Sequence, residues 1–275
     1  MPAPCVFRCL LDGPASGAGN MARDAAILEQ VAAGQVPPTV RIYQWAQPTV
    51  TVGYGQRLAA SVNLGACQED GVPVIRRMSG GGAVLHAAEI TYSIMVPRSN
   101  ALVQGAVPAC FAAMCQPLVA ALQQLGVMAV FKPVNDLLVN GRKISGCAQV
   151  RRGSGVLQHG TLLLQVDAAL MQRYLRPVDP PKPHSVQLTD MYRECGAAAC
   201  APAFVRSFAA VFFDCCARSW QVTMDTGVCT PAELSRAQQL EQDLFRQQKW
   251  NREKGCVGAD RHLVDLDCPP AVHCP

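Results

Sequence analysis

The stretch "NDLLVNGRKISGCAQVRRGSGVLQHGTLLL", residues 135–164, gathers Lys143, Ser145, Cys147, Arg151 and His159 in one short, strand-rich segment. A lysine held beside a tight turn places a fixed positive charge against an acyl carbonyl or phosphate oxygen, where it stabilises charge that develops during acyl transfer. Cys147 follows Lys143 by four residues. On a strand that even offset puts both side chains on one face, where the ammonium would lower the thiol's pKa and make Cys147 a candidate nucleophile.

A second stretch, "VIRRMSGGGAVLHAAEITYSIMVP" (residues 74–97), puts Arg76 and Arg77 beside three glycines and a histidine. Glycine lacks a Cβ, so Gly80, Gly81 and Gly82 let backbone approach a ligand closely and turn successive amides toward an anion or carbonyl. Arginine adds bidentate donors for phosphate or carboxylate. No G-K-[ST] follows the glycines and no G-x-G-x-x-G opens a helix, so neither a P-loop nor a dinucleotide fingerprint is present. On its own the loop is equally compatible with a glycine-rich bulge.

Elements that would position these residues are legible around them. "VFRCLL" (residues 6–11) alternates as a strand, and the apolar spacing from Met21 to Ala33 predicts a helix stopped by Gly34. "TVRIYQW" and "TVTVGYG" read as a hairpin or two neighbouring strands, and "GVPVIRR" and "EITYSIMV" as strands flanking the glycine loop. Phe111, Met114, Leu118, Val119 and Leu122 give one apolar face to a helix over residues 107–125, with Pro117 inside it, and "VMAVFK" then resumes strand character. Asn140-Gly141 between apolar flanks predicts a type I′ hairpin, which fixes Lys143 just beyond a turn. "GVLQHGTLLLQV" is a further strand, after which Asp167 caps a helix from Ala168 to Leu175 and "RPVDPPKP" ends it. The last third reads as helical: residues 202–217, then a helix from the capping box Thr230–Glu233 to about Gln248, with Trp250 packing back. Hairpins with separate helices, rather than regular βαβ units, predict an α+β fold with a mixed, mainly antiparallel sheet.

Half of the 275 residues are hydrophobic, which argues against disorder and allows a sizeable core. The apolar runs are too short for a membrane span, and the charge of +4 forms no basic stripe, so neither membrane nor nucleic acid is an expected partner. With no export signal the chain reads as cytoplasmic, and its 14 cysteines as reduced thiols packed as small hydrophobes. The tail "CPPAVHC" offers Cys268, His273 and Cys274 as metal ligands by type, although its prolines favour a frayed terminus. A catalytic domain over residues 1–254 followed by a poorly ordered tail over 255–275 is the expected organisation.

Together, "RRMSGGGAVLH", "NDLLVNGRKISGCAQ" and "QHGTLLL" resemble the lipoate-protein ligase A and octanoyltransferase family, which shares a catalytic fold with biotin protein ligases. "NMARDAAIL", "RIYQWAQPTVTVGYGQ", "SVQLTD" and "KWN" extend the resemblance over about residues 6–253. It implies attachment of lipoyl or octanoyl groups to a lysine of an apo lipoyl carrier domain, of the 2-oxoacid dehydrogenase E2 or glycine cleavage H-protein type. It also implies that Lys143 contacts the activated acyl group. By the same resemblance, Arg76 and the loop Ser79, Gly80, Gly81, Gly82 and Ala83 cradle acyl and phosphate groups. His86, Asn135, Ser145, Gly146, His159 and Gly160 complete the binding site, and Asp136 supports Mg2+ or nucleotide.

Two branches of the family divide the features. "SGGGAV" and "VNDLLV" are ligase-like, which implies ATP, Mg2+ and an acyl-adenylate, with a separate small accessory subunit in place of the C-terminal domain many ligases carry. "AEITYS" and "AQVRRGSGVLQHG" are transferase-like, which implies an octanoyl-[acyl carrier protein] donor and no cofactor. Ala87 and Glu89 depart from the ligase pattern. The cysteine that the resembling transferases carry upstream of the hairpin has no counterpart in residues 126–141, which leaves Cys147 as candidate nucleophile. The motifs place the ligase first and the transferase as the alternative.

Overall fold

The computed structural model of the chain describes residues 5–176, 187–201 and 203–252. Among the described residues eleven strands form two sheets: β1 (Val6–Leu11), β2 (Thr39–Tyr43), β3 (Thr49–Val52), β4 (Val74–Arg76), β5 (Val84–His86), β6 (Glu89–Pro97), β7 (Val130–Lys132), β8 (Asp136–Val139), β9 (Arg142–Arg152), β10 (Gly155–Leu163) and β11 (Thr223–Thr226). The larger sheet runs β11-β1-β2-β6-β10-β9-β8-β7, and the smaller runs β4-β3-β5. In the larger sheet β1 pairs in parallel with β2 and β11, and every other pairing is antiparallel. The α+β class expected from the sequence is the one observed.

Helices cover both faces of the larger sheet, so its central strand β6 is buried from Glu89 through Val96. Ile90, Tyr92, Ile94 and Val96 pack with the helices Val107–Gln124 and Phe204–Trp220. Met95, with Tyr43 and Leu157, packs with the helices Gly17–Ala32 and Pro231–Leu240. Alternation along one strand thus feeds two cores.

The strands β2 and β3, expected as a hairpin or as neighbours, are neither and lie in different sheets. Both edges of β2 are taken, by β1 and β6, so β3 leaves the plane and founds the smaller sheet, pairing with β4 in parallel and β5 antiparallel. The Asn-Gly hairpin does form: Asn140 and Gly141 have φ of 49° and 75°, and Val139 pairs with Arg142 across the turn.

Thr230 and Glu233 close the capping box, and the carboxylate of Glu233 also takes a bidentate bond from Arg8 at 2.9 and 2.5 Å. The last helix is not continuous to Gln248. After Leu240 it widens into a π turn over Glu241–Phe245 and resumes at Gln248–Arg252, which folds Trp250 back so that its indole donates to the Arg76 carbonyl at 2.8 Å. The first helix starts at Gly17, ahead of the expected Met21, because Ser16 caps it by accepting from the Gly19 amide. The tail over 255–275, with Cys268, His273 and Cys274, lies outside the described residues, as do Ser185 and the "RPVDPPKP" residues 177–183.

Candidate active site

A cavity of about 260 Å³ opens where the smaller sheet, the glycine loop and β9–β10 meet. Met21, Trp45, Leu85, Leu163, Met171 and Leu188 give it apolar walls, while Thr51, Arg77, His86, Asn135, Lys143 and His159 bring polar groups. Apolar lining with a few convergent polar groups is the usual composition of a small-molecule site.

Lys143 reaches this cavity because three features hold it. Its backbone is latched on both sides: its amide donates to Gln187 O at 2.7 Å, and its carbonyl accepts from the Thr189 amide at 2.9 Å. Its ammonium lies 2.6 Å from Asp136 Oδ1 across the hairpin. Gly146 leaves the space its aliphatic chain crosses, since a Cβ there would sit 2.6 Å from both Cε and Nζ. The segment Gln187–Asp190, part of the "SVQLTD" motif, is therefore a structural clamp on Lys143. Asn135 Nδ2 donates to Cys147 O, fixing the start of β8 against β9.

The glycine loop is held from behind by Arg77. Its guanidinium donates to Gly80 O at 2.6 Å and Gly82 O at 2.8 Å, and also to Thr51 Oγ1 and Ser79 Oγ. Burial brings the Arg77 pKa down to about 10, so it stays charged at neutral pH. Gly81 has φ of +94°, and its carbonyl packs so closely on Gly53 that a Cβ there would lie 2.2 Å away. Gly81, Gly82 and Ala83 line the cavity.

Arg76, the arginine expected to cradle substrate, points the other way. It is 1% exposed and does not line the cavity. Its guanidinium donates to the carbonyls of Gly53, Tyr54, Gln56, Trp250 and Asn251. Successive residues on a strand face opposite sides, so Arg76 ties the smaller sheet to the final helix while Arg77 faces the loop. Ser145 is likewise buried outside the lining, and its hydroxyl makes no hydrogen bond.

Both histidines reach the cavity wall with carboxylates behind them. His86 Nδ1 lies 2.7 Å from Glu89 Oε1, and its Nε2 lies 2.7 Å from Thr51 Oγ1. Trp45 stacks on the imidazole at 3.9 Å between ring centroids. His159 Nε2 contacts Ser79 Oγ at 2.5 Å, and its Nδ1 stands 3.7 Å from Asp24. Burial holds the His159 pKa below the ordinary imidazole range. Burial pushes the Asp24 carboxyl up, but Arg41, His159 and Ser93 more than reverse this and hold it low. Sequence reasoning missed Asp24, Thr51 and Glu89 as parts of these networks. One signal for Asp24 was available: an acid on the apolar face of "NMARDAAIL" needs buried partners.

Cys147 lines the cavity, but its thiol lacks the activation expected from Lys143. It donates to Asn135 O at 3.3 Å and lies 3.5 Å from Cys115 Sγ. The Cys115 contact, then burial, hold its pKa well above the ordinary thiol range. The lysine charge is directed instead at Asp136, which also bears on the Mg2+ expectation. An Asp136 oxygen is already paired, and among the described residues no cluster of three His, Cys, Asp or Glu side chains forms that could hold a metal. Asp136 itself does not line the cavity.

Residues 16–213 match the family model of the lipoyl protein ligase A/B catalytic domain, and the chain belongs to that family of enzymes. Among its relatives is the octanoyltransferase LipM of Kyrpidia tusciae, 31% identical over an alignment that covers 90% of this chain and 99% of that protein. LipM of Symbiobacterium thermophilum is also 31% identical, over 90% of this chain and 98% of its own. The fold is shared with a bi-partite lipoate protein ligase of Thermoplasma acidophilum at 22% identity and a TM-score of 0.76, covering 90% of this chain and 96% of that one. Lipoate-protein ligase A bound with ATP gives the same identity and TM-score over 90% and 98%.

Proposed function

We propose that this enzyme moves an octanoyl group from a thioester donor directly to the ε-amine of a lysine on an apo lipoyl carrier domain, without ATP. The observation that carries the reading is the Lys143 ammonium, clamped by its backbone and by Asp136 beside an apolar cavity. Relatives that match nearly end to end are named octanoyltransferases, which favours this route over the adenylating one that the motifs place first.

The chemistry follows from the residues. An octanoyl chain in the apolar cavity gains about 0.8 kcal/mol per buried methylene, roughly 5 kcal/mol for six. The amine nitrogen attacks the thioester carbon, the carbonyl oxygen takes up negative charge, and the C–S bond breaks to release a thiol. Lys143 stands where it can meet that oxyanion, with backbone amides of the Gly81–Ala83 loop as further donors. Among the described residues Cys147 is the only cysteine on the cavity wall, and its thiol is engaged by Asn135 O and Cys115 Sγ, which favours a single displacement over an acyl-enzyme.

The test offers the protein an apo lipoyl domain with either octanoyl-[acyl carrier protein] alone or octanoate plus ATP and Mg2+, and reads the domain's mass. Octanoylation from the thioester supports the reading. Octanoylation from the free acid and ATP alone would establish the ligase instead.

A further inference from the structure

Amide formation requires the attacking nitrogen to lose a proton as it bonds to the acyl carbon. The groups on the cavity wall differ sharply in fitness for that task. Lys143 is an ammonium paired with Asp136 at 2.6 Å, and Arg77 is a guanidinium. Cys147 is held as the neutral thiol by Cys115 and burial. His159 has its Nε2 engaged by Ser79, which does not line the cavity, and its nearest carboxylate, 3.7 Å away, already serves Arg41, Tyr43 and Ser93.

His86 differs on each count. Its Nε2 partner Thr51 does line the cavity, and its Nδ1 partner Glu89 is at 2.7 Å. The hydrogen-bond directions are fixed by what surrounds them. The Glu89 carboxylate only accepts, so Nδ1 carries the ring proton; Nε2 of the neutral imidazole then accepts from the Thr51 hydroxyl, whose oxygen accepts from Arg77 Nη1 at 3.1 Å. Thr91 donates to the same Glu89 oxygen, while Glu89 Oε2 is buried and accepts from nothing. Glu89, 2.7 Å from Nδ1, is placed to orient the ring and to pair an imidazolium formed when Nε2 takes a proton. The charged groups facing His86 are Glu89 from β6 and, through Thr51, Arg77 beyond β4; His159 of β10 is its titratable neighbour.

We propose that His86 is the general base of the transfer, taking the proton of the attacking amine through the Thr51 hydroxyl while Glu89 orients and pairs the resulting imidazolium. This rests on the acyl-transfer reading above. The carrier lysine enters as the free amine, having given one proton to solvent. As its nitrogen bonds to the acyl carbon, an N–H bond breaks and that proton passes to Thr51 Oγ1. The threonine's own proton moves to His86 Nε2. As the C–S bond breaks, the same relay returns one proton to the leaving sulfur, which departs as thiol.

The experiment compares His86→Gly, Glu89→Gln, Thr51→Val and Thr51→Ser with wild type in the octanoyl-thioester assay, each checked by thermal melting. General base catalysis is worth roughly 10²–10⁴-fold, so His86→Gly and Thr51→Val should lose at least 100-fold in kcat with KM for the donor little changed. Thr51→Ser should stay within a few-fold of wild type, Glu89→Gln should fall by about tenfold, and added imidazole should restore part of the His86→Gly rate. A His86→Gly that melts normally and keeps its kcat overturns the proposal, as does an octanoyl ester trapped on Thr51. If wild type works only with octanoate and ATP, the transferase reading falls, and the same variants, read in that assay, still decide the base. A wild type inert in both assays overturns both.

Discussion

Lys143 Nζ rests 2.6 Å from Asp136 Oδ1, and it does so across the face of Gly146, where any side chain would collide with it. The atoms such a side chain meets are the flexible end of a lysine rather than backbone. Gly146→Ala should therefore displace the ammonium without unfolding the protein. The expected result is a loss of 10-fold or more in kcat/KM with little change in Tm. Asp136→Asn should cost about tenfold, or ~1.4 kcal/mol, by loosening the same side chain. A large fall in Tm for Gly146→Ala would show that the glycine serves the backbone instead.

Arg76 makes the opposite prediction, because it binds five carbonyls from two distant segments and does not line the cavity. Arg76→Ala strips the guanidinium from all five, and although Gly53 O keeps the Gln56 amide, the buried carbonyls of Trp250 and Asn251 lose this donor, at a cost of roughly 3 kcal/mol or more in total. At ~2–4 °C per kcal/mol this lowers Tm by at least ~6 °C. Specific activity of the protein that remains folded should be close to wild type. A normal Tm with lost activity would place Arg76 in the substrate site after all.

Stability should fall on mild acidification. The pKa of His159 is lowered in the folded state, chiefly by burial, so the unfolded chain binds more protons just below the ordinary value of 6.5. Between that value and the lower folded one, each step down in pH favours unfolding. Asp24, also held low in the folded state, acts in the same direction at lower pH. Melting curves from pH 8 to 5 should show Tm dropping below about pH 6.5, with a shallower slope in His159→Gln. A Tm that rises with acid would contradict this assignment.

Cys147 tests the single-displacement route. With its thiol kept protonated by Cys115 and burial, Cys147→Ser should retain activity within a few-fold, and acid-quenched wild type should carry no octanoyl thioester. Loss of activity together with a trapped thioester at Cys147 would restore it as the nucleophile.

Local rules carried most of the fold. The Asn140-Gly141 turn, the Thr230–Glu233 capping box and the Asp167 cap each depend on a few neighbouring residues and formed as expected. Strand β5, only three residues long, was not legible, since its pairing with β3 spans more than thirty positions. The same limit explains the arginines. Arg76 ends β4 and the adjacent Arg77 faces the other way, and nothing local says which side becomes the cavity. The carboxylates behind the histidines were hidden for a related reason: Asp24 is far from His159 in sequence, and Glu89, though close to His86, was legible only as a departure from a pattern.

ATP-independent acyl transfer directed by Lys143 can be read from the mass of the carrier domain. Apo lipoyl domain is incubated with octanoyl-[acyl carrier protein], free of nucleotide and metal, with either wild type or Lys143→Ala. The account predicts octanoylation of a single carrier lysine by wild type and a rate about 10²–10³-fold lower for Lys143→Ala, the loss typical of removing an oxyanion donor. An unmodified domain with wild type, or equal rates for the two proteins, would contradict it.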